Sequence, residues 1–107
     1  MKVHRELGPG FKEVIYKDAL EPEFQMNKIP YEREKYFTAS YLGFPLPRKI
    51  KVDFILYNSL VLEAKATSNI IKRFVSILLH YLKMSGFKLG IIANFGEKSF
   101  TYKRVLN

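Results

Sequence analysis

Arg48 to Thr67 reads RKIKVDFILYNSLVLEAKAT. Two apolar alternations flank a polar break. In the first, Arg48 to Tyr57, the side chains of Ile50, Val52, Phe54 and Leu56 point one way, and Lys51, Asp53, Ile55 and Tyr57 the other. In the second, Leu60 to Thr67, Leu60, Leu62, Ala64 and Ala66 oppose Val61, Glu63, Lys65 and Thr67. Period-two patterning around Asn58-Ser59 predicts a β-hairpin. Glu63 and Lys65, two apart, share one face. Asp53 joins them only in one register. Residues paired across a hairpin have a constant index sum, and Asp53 opposite Glu63 gives 116. That register needs a three-residue loop, Tyr57-Asn58-Ser59, with Leu56 facing Leu60. A two-residue Asn-Ser turn gives 117 and sends Asp53 to the opposite face.

In the even register the two carboxylates stand about 4.5–5.5 Å apart at Cβ, where like charges repel. A hard divalent cation converts that repulsion into binding. Mg²⁺ takes one or two carboxylates together with waters and substrate phosphate. Lys65 alongside could orient a water or neutralise charge on a phosphate. From spacing alone, an ordinary cross-strand acid–lysine pair on a solvated face stands as the alternative.

Outward from this hairpin, Tyr31 to Tyr41 mixes aromatics with alternating charge and reads as an edge strand. Gly43 to Pro47 reads as a turn, because its two prolines cannot serve a central ladder. Phe11 to Leu20 has helical periodicity, and Pro22 is expected to kink or end that helix. After the hairpin, Ser68 or Asn69 can cap a helix that runs to Ser85 under a wide apolar stripe and stops at Gly86. Phe87 to Phe95 reads as a buried strand and Ser99 to Leu106 as a last one. The expected order is α-β-β-β-α-β-β, an α/β (α+β) domain over residues 1–107 with a mixed sheet flanked by helices.

The chain has 107 residues, 48% of them hydrophobic, and is too short for much beyond one core. Cysteine is absent, which excludes disulfides, thiolate zinc sites and cysteine nucleophiles. No apolar run approaches the ~18 residues of a membrane span, and no secretory signal follows Met1, so a cytoplasmic protein without a membrane partner is expected. Charge is unevenly distributed. Residues 1–47 hold seven acids and seven bases; residues 48–107 hold eleven bases against Asp53, Glu63 and Glu97, and so carry the whole +8. A basic half of this kind attracts polyanions. Arg48, Lys49, Lys51, Lys72, Arg73 and Lys88 are the candidates to track nucleic-acid phosphates.

Asp53 followed ten residues later by Glu63-Ala64-Lys65 and then a helix resembles the catalytic motif of the PD-(D/E)XK nuclease superfamily. Gly10-Phe11-Lys12-Glu13-Val14-Ile15-Tyr16 resembles the signature of the small prokaryotic GxxExxY family within it. His4 to Gly10, and the stretch from Tyr81-Leu82-Lys83 through Asn94-Phe95-Gly96, are also similar to that family. The resemblance implies a restriction-endonuclease-like fold, with Asp53, Glu63 and the Ala64 carbonyl as ligands to Mg²⁺ or Mn²⁺. It implies that Lys65 serves the attacking water and that Glu13 stands beside the metal; Tyr16, one turn on, either lines the cleft or packs. Relatives usually carry glutamine four residues before the tyrosine that corresponds to Tyr81; here the position is Ile77. The expected function is therefore metal-dependent hydrolysis of phosphodiester bonds, with DNA favoured. The alternatives are a nucleic-acid-binding module without turnover, or a protein-interaction domain, for which a homodimer is one form.

Overall fold

The computed structural model describes residues 1–107. Its elements are α1 (Lys2–Leu7), α2 (Glu13–Met26), β1 (Tyr31–Tyr41), β2 (Phe44–Leu56), β3 (Leu60–Lys65), α3 (Lys72–Ser85), β4 (Leu89–Asn94) and β5 (Thr101–Leu106). The five strands form one sheet in sequence order; β3 and β4 pair in parallel and the other neighbours antiparallel. Only β3–α3–β4 needs a crossover, and α3 supplies it. The expected order is present, with the short α1 added ahead of it.

The two faces of the sheet carry separate cores. On one, Tyr16, Leu20 and Phe24 of α2, with Val3 of α1, pack on Phe54, Leu56, Leu62, Ala64, Ala93 and Phe95. On the other, Leu78 and Leu82 of α3 pack on Val52, Ile55, Val61, Ile92 and Val105. Burial at about 25 cal/mol per Å² makes these two seams the main force holding the layers together. The rest of the wide α3 stripe, a pattern that predicts a well-buried helix, is only half-covered or exposed: no second helix lies on that side.

Four local expectations are corrected. Helix α2 passes through Pro22 to Met26. Pro22 is exposed, so its lost hydrogen bond leaves a carbonyl that water can reach, while buried Leu20 and Phe24 on either side hold the helix to the sheet. Pro45 and Pro47 lie inside β2, not in a turn; the turn is Leu42-Gly43. They are tolerated because β2 pairs with β3 only over Phe54–Leu56, so β2's other edge is free along the segment that holds them. Neither Ser68 nor Asn69 caps α3: the helix starts at Lys72 after Ile71, and the Asn69 carbonyl instead accepts from Thr67 Oγ1 at 2.8 Å. Gly86 does stop it, in the left-handed region at φ 82°, with its N–H on the Leu82 carbonyl. Finally, the alternation along β2 breaks at Asp53, so Val52 and Ile55 share the α3 side while Phe54 lies on the α2 side. Glu34, which the β1–β2 pairing skips opposite this break, has φ 57°, and β2 leaves β3 at the same level.

Beyond that break β1 and β2 continue as a two-stranded arm. Phe37, which pairs with Ile50, reaches Phe87 with ring centroids 6.1 Å apart, so the arm leans over the C-terminal end of α3. No helix is long and apolar enough to cross a membrane.

Candidate active site

The hairpin register decides the site. Leu56↔Leu60, Ile55↔Val61 and Phe54↔Leu62 all sum to 116, and Tyr57-Asn58-Ser59 is the loop. Tyr57 and Asn58 take φ of 54° and 50°, and Ser59 N–H closes the turn on the Leu56 carbonyl at 3.0 Å. The same register carried one step further sets Asp53 opposite Glu63. There the ladder has ended, and the Asp53 side chain takes the place of a strand carbonyl: Oδ2 accepts the Ala64 N–H at 2.8 Å. In a strand the N–H and C=O of one residue face the same edge, so the Ala64 carbonyl points into the same opening.

Both carboxylates are buried, Asp53 at 6% and Glu63 at 8% exposure. They are not equivalent. Asp53 Oδ1 is paired with Lys17 Nζ at 2.8 Å. Glu63 Oε1 is buried with no hydrogen-bond partner. Burial, and next the Asp53 carboxylate beside it, push the Glu63 carboxyl up to about 9, with Lys65 pulling weakly the other way. A cavity lies beside Glu63 on the α3 side, and Asp53 is not among the residues that line it. Glu63, Lys65, Phe74, Ile77 and Tyr81 line this cavity of about 100 Å³. Lys65 Nζ lies over the Phe74 ring, 4.7 Å from its centroid, a cation–π contact that holds the ammonium at the cavity wall. Burial, then the negative charge of Glu63 and Asp53, raises the Tyr81 hydroxyl above its ordinary value, so it stays a hydrogen-bond donor.

From α2 the residue that reaches Asp53 is Lys17. Glu13, expected beside the metal, lies one helical turn earlier and 3.6 Å from Lys17 Nζ, so the lysine stands between the two acids. Burial alone would lower the Lys17 pKa, but Asp53 and then Glu13 outweigh it and hold the ammonium above its ordinary value. Sequence reading missed Lys17. Its one local signal is the i, i+4 spacing from Glu13, common on any helix. Tyr16 is fully buried, stacked on Phe95 at 4.8 Å; its hydroxyl donates to the Gly8 carbonyl at 2.6 Å and accepts from Phe11 N–H at 3.2 Å. It pins the Gly8–Phe11 loop and does not reach the cavity.

The exit of β3 is fixed by Asn94, fully buried at the end of β4. Its Oδ1 accepts from Thr67 and Gly96 N–H at 3.0 and 3.1 Å, and its Nδ2 donates to the Thr67 carbonyl and to Glu97 Oε2 at 3.0 and 2.8 Å. Gly96 passes so close to Thr67 that an added Cβ would lie 2.3 Å from its backbone N and O. The six expected phosphate-tracking bases do not form one patch. Lys72 and Arg73 open α3 near Lys65, whereas Lys88 lies past its other end, where the arm bearing Arg48, Lys49 and Lys51 leans in; the helix between spans ~21 Å.

No three His, Cys, Asp or Glu side chains converge to form a self-sufficient metal cage. The donors present are two carboxylates, one with an unpartnered buried oxygen, and one backbone carbonyl. That set suits Mg²⁺ or Mn²⁺, which keeps water and substrate oxygens in its shell. A family profile for the PD-(D/E)XK nuclease superfamily matches residues 1–105. The chain belongs to that superfamily. Its five-stranded mixed sheet flanked by helices is the restriction-endonuclease-like fold, and nucleases of the superfamily are generally divalent-metal dependent. Among solved structures, this PD-(D/E)XK domain is similar to the crystal structure of SSO0001, with a TM-score of 0.70 and 19% identity over 87% of this chain. It spans 48% of that chain, and the likeness is one of fold. No curated protein matches.

Proposed function

We propose that this PD-(D/E)XK domain is a GxxExxY-type nuclease that hydrolyses phosphodiester bonds of DNA with Mg²⁺ or Mn²⁺. The observation that carries the reading is the unpartnered, buried Glu63 Oε1 beside a second carboxylate. Burying a carboxyl oxygen without a partner costs stability, and a cation site is the economical reason to retain one. Asp53, Glu63 and the Ala64 carbonyl are the residues that would hold the cation. The chemistry it supplies when bound is neutralisation of charge on the phosphate and a lowered pKa for water.

The chain's own groups do the rest. Asp53 is oriented by the Ala64 N–H and by Lys17, so its free lone pairs keep a fixed direction. Lys65, held at the cavity wall by Phe74, orients the attacking water and donates to the phosphate oxygens as negative charge develops. Tyr81 keeps its proton and donates into the same cavity. Lys72 and Arg73, in the first turn of α3, bind the flanking phosphates. The test is cleavage of supercoiled plasmid and of short single-stranded and branched DNA with Mg²⁺ or Mn²⁺. Wild type is expected to nick or linearise, and Asp53→Ala and Glu63→Ala to be inert; equal cleavage by wild type and Glu63→Ala would sink the proposal. A second reading, binding without turnover, is favoured by Ile77, which puts an aliphatic wall where a polar group could meet the water.

A further inference from the structure

The distal half of the β1–β2 arm has no role in the site described so far. Residues 36–51 form a ribbon whose side chains are nearly all exposed beyond Ala39 on both faces. A two-stranded ribbon without a packed face is marginal in water. This one ends in apolar surface: Tyr41 is 65% exposed, Leu42 79% and Phe44 71%. Tyr41 and Phe44 are register partners, so two aromatic side chains stand side by side at the tip. Behind them come Arg48, Lys49 and Lys51, and residues 36–51 contain no acid at all.

The charge decides what can cover such a tip. Two copies of the arm packed on each other would bring six bases together with no counter-charge, and like charges at short range oppose that pairing. A polyanion meets no such penalty. The tip, residues 41–47, is Tyr-Leu-Gly-Phe-Pro-Leu-Pro and holds no Arg, Lys, Asn or Gln. It therefore lacks the forked donors that read base edges in a duplex groove. What it does offer is aromatic faces next to a basic stem, the combination that stacks unpaired bases and tracks the backbone beside them.

We propose that the arm is a binding element for unpaired nucleic acid. Tyr41 and Phe44 stack exposed bases, and Arg48, Lys49 and Lys51 hold the adjoining phosphates. The proposal takes its polymer from the nuclease reading. Strand β2 connects the tip to the site directly. Phe44 is nine residues from Asp53, so their backbone positions lie about 30 Å apart at 3.3 Å per residue, a span of several nucleotides. The arm accordingly selects substrates with a single-stranded stretch, and does so without sequence preference.

The experiment is fluorescence anisotropy of a labelled 20-nucleotide oligo(dT) and of a blunt duplex of equal length, in EDTA so that nothing is cleaved. The proteins are wild type, Tyr41→Ala/Phe44→Ala, Tyr41→Trp/Phe44→Trp and Lys49→Gln/Lys51→Gln. The alanine pair should weaken oligo(dT) binding at least about fivefold, the low end for one stacked base, with the salt slope unchanged. The tryptophan pair should bind at least as tightly as wild type, and the glutamine pair should lower the salt slope. Unchanged oligo(dT) affinity in the alanine pair overturns the proposal. So does a wild-type dimer in sedimentation that the alanine pair abolishes while oligo(dT) affinity stays constant, an outcome that assigns the tip to a second copy. Plasmid cleavage measured separately keeps the two readings apart. Oligo(dT) binding through the tip with no cleavage defeats the nuclease assignment alone; cleavage without tip-dependent binding defeats the arm alone.

Discussion

Replacing Glu63 by glutamine should stabilise the metal-free protein at neutral pH and leave it unchanged in acid. Glu63 is 8% exposed, and its carboxyl is held at about 9 against an ordinary 4.5. Between those values the folded protein keeps a proton that the unfolded chain has released. The sign follows: this group's contribution is fully present below about 4.5 and is lost as pH rises toward about 9. Each pH unit in that window costs ~1.36 kcal/mol, so three units, from 4.5 to 7.5, cost about 4 kcal/mol. Glutamine has nearly the same shape and does not titrate. For a domain of this size 1 kcal/mol moves the melting temperature by at least ~4 °C, so a gap of about 15 °C is expected at pH 7.5. Asp53, Lys65 and Tyr81 face the same carboxyl and are present in both proteins. The assay is thermal or urea unfolding in EDTA from pH 4.5 to 8.5. A gap between Glu63→Gln and wild type that does not change with pH would refute the reasoning, because it would mean that Glu63 ionises freely in the fold. Mn²⁺ should narrow the gap from the wild-type side, since it takes the ionised form.

Three further outcomes are expected. Lys17→Met breaks a pair in which the lysine side chain is only 13% exposed; metal-free stability should drop by up to about 3 kcal/mol while the Mn²⁺-induced rise in melting temperature grows, and a rise no larger than wild type's would show that the ammonium does not compete with metal at Asp53. Ile77→Gln places an amide in the wall of the Glu63–Lys65 cavity, and single-turnover cleavage should rise by about 10²-fold without tighter substrate binding; a stable variant that cleaves no faster removes Ile77 from the list of limiting positions. Gly96→Ala drives a methyl into the Thr67 backbone, and urea unfolding should show a loss of about 3 kcal/mol; a midpoint equal to wild type's would contradict the close approach.

The layer order and the central hairpin were legible because they rest on period-two and helical patterning over whole segments. The parity of Asp53 and Glu63 could be posed from sequence but not decided. The choice lies in Tyr57 and Asn58 taking left-handed backbone, which a tyrosine does not advertise. Lys17 was invisible for a different reason. It is an ordinary helical lysine until folding sets it against Asp53, a contact 36 positions away in the chain. Pro22, Pro45 and Pro47 mislead because each breaks a rule for paired or enclosed backbone, and all three sit where the backbone is open. The wide α3 stripe misled in the opposite sense: apolar periodicity says which face prefers burial, not whether the fold supplies enough surface to cover it.

The hydrogen bond from Ala64 N–H to Asp53 Oδ2 turns one backbone amide into an internal gauge of the site. Its neighbours in β3 exchange with solvent deuterium at rates set by opening of the sheet. Ala64 lies just past the last β2–β3 pair, so its protection is set by whether one carboxylate keeps its lone pair on the nitrogen. Anything that recruits Asp53 elsewhere, whether a cation, a phosphate or a mutation at Lys17, should change the exchange rate and chemical shift of that single resonance first. A site assembled from a helix, a fork between two strands and the wall of a second helix can thus be followed at one atom, in the absence of substrate and of turnover.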